Sequence, residues 1–244
     1  MSESGRILCI SDLHLSAERP DIFKAFSDFL GNTARGASAL YILGDFFNLW
    51  IGDDDPDPFA AQVKAELASM SASGTEVFLM HGNRDFLIGN DFARDCDLTV
   101  IAEPYVLSCF GHRYLLMHGD ALCTRDTGYM AFREQVRHPE WQSTFLSQPV
   151  AQRLAFARDA RAQSKAISSN KADDIMDVTP DEVAKVLSEH GESVLVHGHT
   201  HRPAIHDISL NDQAGKRIVL GDWDTRGWYL ELNTNGYALK DFTI

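Results

Sequence analysis

The chain of 244 residues has no apolar run approaching the roughly 18 residues of a membrane span, so a transmembrane helix is not expected. Its first strand-like run begins within a few residues of Met1, so no signal peptide is expected. Cysteine is scarce. Cys9, Cys96, Cys109 and Cys123 show no paired spacing, which reads as reduced, packed thiols rather than a disulfide framework. Basic residues are outnumbered 22 to 35, and a formal charge of −13 excludes the extended basic face of a nucleic-acid binder. Linkers, repeats and low-complexity tracts are missing too. The length alone allows two domains, but the motifs below run from near residue 10 to beyond 200, so one domain over 1–244 is expected.

What is present is a set of metal-binding side chains in five short islands: Asp12 and His14 in S-D-L-H-L, Asp45 in L-G-D-F-F-N, Asn83 in H-G-N-R-D, His118 in M-H-G-D, and His199 with His201 in H-G-H-T-H. Each follows an apolar run of strand type, respectively 7–10, 40–43, 77–80, 114–117 and 194–196. Sheets of βα construction gather ligand-binding residues beyond the carboxyl ends of their strands, so islands distant in sequence can converge on one crevice. Seven oxygen and nitrogen donors exceed what one ion takes from protein while keeping positions open for water and substrate. Two ions are therefore expected, with a bridging carboxylate. In D-x-H an extended strand end would point both side chains the same way, and a turn in G-H-x-H would send its two imidazoles to different ions. Carboxylate, imidazole and amide donors without thiolate favour Mn, Fe or a similar octahedral ion over structural Zn.

Taken singly, the islands have plainer readings. D-x-H alone is a surface or capping pair, G-D a turn with Asp as a helix N-cap, and H-G-N-R-D a tight loop. Three His within five residues make H-G-H-T-H the strongest single signal. All five in order, each behind a strand, leave a metal site as the reading. His81 and His197 beside the motifs, Cys123, Trp223 and Trp228 are read as structural. Arg84, next to Asn83, can present a planar fork to phosphate oxygens.

D-x-H, G-D, G-N-x-D, a late His and G-H-x-H in that order resemble the calcineurin-like metallophosphoesterases. Over nearly the whole chain, Y-I-L-G-D-F-F-N-L-W-I-G-D-D-D, H-G-N-R-D-F-L-I-G, L-M-H-G-D-A-L-C-T, I-M-D-V and V-H-G-H-T-H-R-P-A resemble more closely the UDP-2,3-diacylglucosamine pyrophosphohydrolase family of lipid A biosynthesis. The resemblance implies an α/β fold, a four-layer αββα sandwich, and a pair of Mn2+ ions on Asp12, His14, Asp45, Asn83, His118, His199 and His201. It implies attack of a metal-activated water on the α-phosphorus of UDP-2,3-diacylglucosamine, giving 2,3-diacylglucosamine 1-phosphate and UMP. Asn83, Arg84, His118 and His199 would serve catalysis; Asn83, Arg84, Asp126, Ser164, Ser168, Lys171 and His199 would contact substrate. It further implies a monomer, peripheral on the cytoplasmic face of a bacterial inner membrane, with no nucleic-acid partner. A soluble nucleotide or diadenosine-type pyrophosphatase is the alternative, and it would have a cap polar inside.

Two positions depart from that family. Asn48 stands where an acidic residue is usual, and Ser168 where Asn is frequent. The first bears on the support of the metal ligands rather than on the ligands themselves.

Charge is unevenly placed. Residues 125–171 hold eight Lys or Arg against four acids, a net of plus four, leaving minus 17 elsewhere. Tyr129, Phe132, Arg133 and Val136, then Val150, Leu154 and Ala157, recur at helical spacing, with Pro139 and Pro149 as breaks. A helical cap over 127–171 is expected. Its apolar stripe (Phe132, Val136, Trp141, Phe145, Leu146, Val150, Leu154, Phe156) would pack mainly on itself and the sheet, and could offer a cleft to acyl chains. The tail reads as short antiparallel strands with an N-T-N-G hairpin, expected to complete the second sheet.

Overall fold

In a computed structural model, described here for residues 5–168, 175–210 and 213–244, strand sequences alternate between two apolar environments. In β1 (Ile7–Ile10) and β2 (Ala39–Leu43), Leu8, Ile10, Leu40 and Ile42 face one core and Ile7, Cys9, Ala39, Tyr41 and Leu43 another. Both faces are covered, which is why these strands read as continuous apolar runs. β3 (Glu76–Met80) and β4 (Thr99–Ile101) extend them in parallel.

β5 (Tyr105–Cys109), β6 (His112–Leu116), β7 (Val194–His197), β8 (Ala204–Leu210) and β9 (Gln213–Val219) form a second sheet in the order β5-β6-β7-β9-β8. The tail strands do not all join it. β10 (Arg226–Asn233) and β11 (Gly236–Thr243) cross over and extend the first sheet, order β11-β10-β1-β2-β3-β4, with β10 antiparallel to β1. The crossover follows from burial: Trp223, 1% exposed, lies in the core between Phe26, Phe29 and Phe242, and its backbone N–H donates to Asp12 O at 3.1 Å. Leu230 and Leu232 then fall on the inter-sheet side, a pattern the hairpin signal alone did not assign to either sheet.

Helices α1 (Pro20–Asp28), α2 (Pro58–Ala72) and α3 (Asn90–Cys96) cover the outer face of the first sheet. Between β6 and β7 come α4 (Thr127–Arg137), α5 (Pro139–Leu146) and α6 (Val150–Ser168), and then α7 (Pro180–His190), whose Val183 and Leu187 cover the outer face of the second sheet. The order of layers is α, β, β, α. Proline opens α1, α2, α5 and α7, where its fixed φ suits the first turn and its missing N–H costs nothing.

The helices α4 to α6 pack less fully than their stripe suggests. Val136 and Phe145 are buried, whereas Phe132, Leu146 and Phe156 are 38, 39 and 44% exposed. Trp141, Phe145 and Phe156 form a ring cluster, with Trp141 stacked on Phe145 at 4.8 Å. Arginines tie these helices to the rest. Arg153, 1% exposed, donates to Ile51 O at 2.6 Å, to Gln148 O at 3.0 Å and to both carboxylate oxygens of Asp54. Arg137 donates to Gly82 O at 2.8 Å and Arg161 to Asn48 O at 2.5 Å. At position 48 the backbone thus holds α6, and its N–H donates to Leu15 O at 3.0 Å.

Candidate metal centre

Chain reversal at the strand ends builds the site. Asp12, His14, Asp45, His199 and His201 all have left-handed backbone, with φ of 58, 49, 50, 66 and 55°. This differs from the extended strand end expected for D-x-H. Non-glycine residues avoid that region, at a cost of about 1–3 kcal/mol each, and such conformations persist where surrounding structure enforces them. Here the loops enforce one another. Asp12 N–H donates to Gly44 O at 3.1 Å, His14 N–H to Asp45 O at 3.0 Å, and Gly198 N–H to His118 O at 2.9 Å. Two glycines allow the close approach: a Cβ on Gly198 would lie 2.0 Å from Ser11 Oγ, and one on Gly44 2.6 Å from His118 Nδ1.

The loops bring all seven expected donors together in two groups. His14 Nε2 and His201 Nε2 are 3.2 Å apart, with Asp12 Oδ1 3.4 Å from the latter. Asn83 Oδ1 is 3.0 Å from His118 Nε2 and 2.9 Å from His199 Nδ1. Asp45 lies between the groups: its Oδ2 is 3.9 Å from His14 Nδ1 and its Oδ1 3.6 Å from His118 Nε2. The H-x-H turn therefore sends His199 to one group and His201 to the other.

The residues fit cations. Asp12 Oδ1 and His14 Nδ1 are buried without hydrogen-bond partners, a costly state for polar atoms unless something outside the chain satisfies them. The electrostatics agree. Burial pushes His118 down, yet Asp45, Asp12, Asp120 and Glu103 together raise it to about 9, so the position calls for positive charge. Asp12 is held well below the usual carboxylate range: burial is outweighed by the nearby His201 imidazole, 3.4 Å away, and by the fields of His118 and His14. His14 is pushed by burial down to about 4, which keeps it a neutral donor.

Supporting residues complete the cluster. Ser11 Oγ donates to Asp12 Oδ2 at 2.6 Å, and His199 N–H donates to the same oxygen at 2.9 Å. Asp85, last residue of H-G-N-R-D, accepts from Phe46 N–H at 2.7 Å and Gly82 N–H at 2.8 Å, joining the Asp45 and Asn83 loops. Burial and then the charge of Asp45 raise its carboxyl to about 6. The motif carried this signal, but only the structure shows that its Asp serves backbone amides.

Arg84 sits at the cluster: its N–H donates to Asp45 Oδ1 at 2.9 Å, and its Nε lies 3.3 Å from Asp45 Oδ2, out of line for a hydrogen bond. Arg161 shares its surroundings, lowered to about 10 by burial and then by the charge of Arg84. Asp126 caps α4 by accepting from Tyr129 N–H at 3.0 Å, and Ser164 is exposed on α6. Lys171 and the side chain of Ser168 lie outside the described residues. His197 Nδ1 pairs with Gly198 O and His81 Nε2 with Ile88 O, both at 2.8 Å, in keeping with structural roles.

A crevice at the joined strand ends of two sheets, holding carboxylate, imidazole and amide donors, defines a metal-dependent phosphoesterase, and the comparisons agree. The sequence profile of the calcineurin-like phosphoesterase family matches residues 5–203, and the chain belongs to that family. Within it, the chain is similar to the UDP-2,3-diacylglucosamine hydrolase of Cellvibrio japonicus strain Ueda107, 53% identical over 237 residues, 97% of this chain and 99% of that one. The enzyme of the same name from Pseudomonas fluorescens strain Pf0-1 is 52% identical, covering 97% and 95%. Among solved structures, a novel archaeal phosphodiesterase aligns over 98% of this chain and 99% of its own with a TM-score of 0.50; at 12% identity it speaks for the fold alone.

Proposed function

We propose that the chain hydrolyses the diphosphate bond of UDP-2,3-diacylglucosamine, releasing 2,3-diacylglucosamine 1-phosphate and UMP, with two Mn2+ ions on Asp12, His14, Asp45, Asn83, His118, His199 and His201. The observation that carries the reading is the buried two-group donor cluster with Asp45 between its halves. Likeness over the full chain to relatives of that name supports the substrate. When bound, the ions supply Lewis acidity and a water of lowered pKa. The chain supplies the rest. Asp45 spans the two groups, and its carboxylate is held by Arg84 N–H, so the spacing between groups is set before substrate arrives. Arg84 offers its fork to the oxygens of the phosphoryl group as charge develops. A water is consumed, the bond between the α-phosphorus and the bridging oxygen breaks, and UMP leaves with the water oxygen.

The ring cluster of Trp141, Phe145 and Phe156, with Phe86 beside Trp141, favours this reading over a soluble nucleotide or diadenosine-type pyrophosphatase, whose cap would be polar inside. We read helices α4–α6 as a cap inserted into one catalytic domain, with Asp126, Ser164, Ser168 and Lys171 as its substrate contacts. The protein would act as a monomer, peripheral at the cytoplasmic face of the inner membrane. Its exposed Phe132, Leu146 and Phe156 and the positive balance of 125–171 support such contact; among the described residues no helix is long and apolar enough to cross a membrane. The test is turnover of diacylated against deacylated UDP-glucosamine and free nucleotides, with Mn2+ and detergent held constant. Equal specificity constants would discard the lipid substrate and leave the metal-dependent phosphoesterase standing.

A further inference from the structure

Beyond the donors, the H-G-D turn carries a second carboxylate. Gly119, at φ of 113°, reverses the chain directly after His118, and Asp120 turns away from the donor cluster toward α4. It is fully buried. Its Oδ2 accepts from the Tyr129 hydroxyl and from Arg133 Nε at 2.7 Å; its Oδ1 has no partner. Behind it, Glu103 accepts from Arg133 Nη2 at 3.1 Å and, through its other oxygen, from the backbone N–H groups of His118 and Gly119 at 2.8 and 3.2 Å. One pair of carboxylates therefore grips both the donor-bearing turn and the first cap helix.

The ring that Asp120 holds is aimed at the cluster. Tyr129 lies over His199 with centroids 6.1 Å apart and planes 30° from parallel, and His199 meets His118 edge-on at 5.1 Å. Burying two carboxylates is expensive even with Arg133 bonded to both and Arg137 3.9 Å from Asp120, and a gain in orientation is the use best suited to such a network. We propose that Asp120 is a positioning residue acting through Tyr129: supported by Glu103 and Arg133, it fixes the Tyr129 ring over His199 and so sets the wall against which the phosphoryl group is aligned. Asp120 spends its Oδ2 on Tyr129 and Arg133, so it would act through the Tyr129 ring rather than on the reacting groups. The proposal rests on the hydrolytic reading above and asks more of it, because a purely structural network would give stability without affecting turnover.

A double-mutant cycle decides between them. Asp120→Asn, Tyr129→Phe and the double variant are assayed for kcat and KM on UDP-2,3-diacylglucosamine with Mn2+, alongside bound metal and Tm. Each single change should lower kcat about tenfold with metal retained, and the double variant should stay within about twofold of the worse single, since both remove one interaction. Losses that multiply to about a hundredfold would overturn the proposal, as would Tyr129→Phe with wild-type kcat. If Asp120→Asn does not fold, Glu103→Gln replaces it in the cycle, with a smaller kcat loss that vanishes in the Tyr129→Phe background; a loss of equal size in both backgrounds counts against the proposal. If the wild type turns over a soluble phosphodiester but not the lipid, the substrate reading fails, and the same cycle on that diester still tests Asp120.

Discussion

In the donor cluster, Asp12, Asp45 and His118 are at most 2% exposed and the loops that carry them are hydrogen-bonded to one another. In the cap, Phe132, Leu146 and Phe156 stand about two-fifths exposed, and the strongest ties to the body are arginines reaching carbonyls and carboxylates. The first region stores backbone strain in left-handed residues and holds it with cross-loop bonds. The second leaves apolar surface unsatisfied. On the proposed reading, the rigid polar crevice would define the bond that is broken, and the helical cover held by point contacts would define which molecule brings that bond. The two should therefore fail separately when perturbed.

The largest effect is expected at the centre of the cluster. Asp45→Ala removes a carboxylate that lies between the two donor groups, so hydrolysis and bound metal should be lost together. Elemental analysis of the purified variant beside an activity assay checks this. An Asp that served only its loop would cost about 1 kcal/mol and leave metal in place.

Arg84→Ala sharpens the comparison from the edge of the cluster. Its backbone N–H, which serves Asp45, survives the change, so metal should stay bound while kcat falls on the order of a hundredfold. Arg84→Lys should recover little, because an ammonium cannot present two parallel donors. Unchanged kcat with full metal would remove Arg84 from the chemistry.

These residues were legible in the sequence because each island sits directly behind an apolar run, and four of those runs form β1, β2, β3 and β7. The left-handed backbone of Asp12 and His14 was not legible. It is imposed by bonds to Gly44 and Asp45, some thirty residues away, which no local pattern encodes. The same holds for β10, whose alternation suits either sheet until Trp223 is seen buried under α1. Asp85 and Arg153 were hidden for a related reason: their roles lie in hydrogen bonds to loops far away in sequence, whereas Asp120 bonds to the helix that follows it, through Tyr129 and Arg133, a pairing no motif announces.

A smaller effect is expected where the cap is latched. Gly52 has φ of 133°, and a Cβ there would lie 2.3 Å from Arg153 Nη1 and 2.9 Å from both Asp54 Oδ1 and Leu146 Cδ2. Gly52→Ala thus strains the backbone and pushes Arg153 from its socket. Backbone strain of about 1–3 kcal/mol should lower Tm by several degrees, and KM for the diacylated substrate should rise several-fold with metal retained. Calorimetry and steady-state kinetics on the same preparation test this, and an unchanged KM would show that the latch does not hold the binding surface.

The smallest effect is the most specific to the cap. Phe156 is 44% exposed and touches only the edge of the ring cluster, 5.4 Å from Phe145 and 5.9 Å from Trp141, so Phe156→Ala should change stability by less than about 1 kcal/mol. If its free face meets an acyl chain, losing that contact should lower kcat/KM for diacylated UDP-glucosamine about fivefold to tenfold, the value of part of one aromatic side chain leaving water. Deacylated substrate makes no such contact and should be handled as before. The ratio of the two specificity constants, variant against wild type, is the measurement. A ratio that does not move would assign Phe156 to some other surface and move the acyl contact elsewhere in the cap.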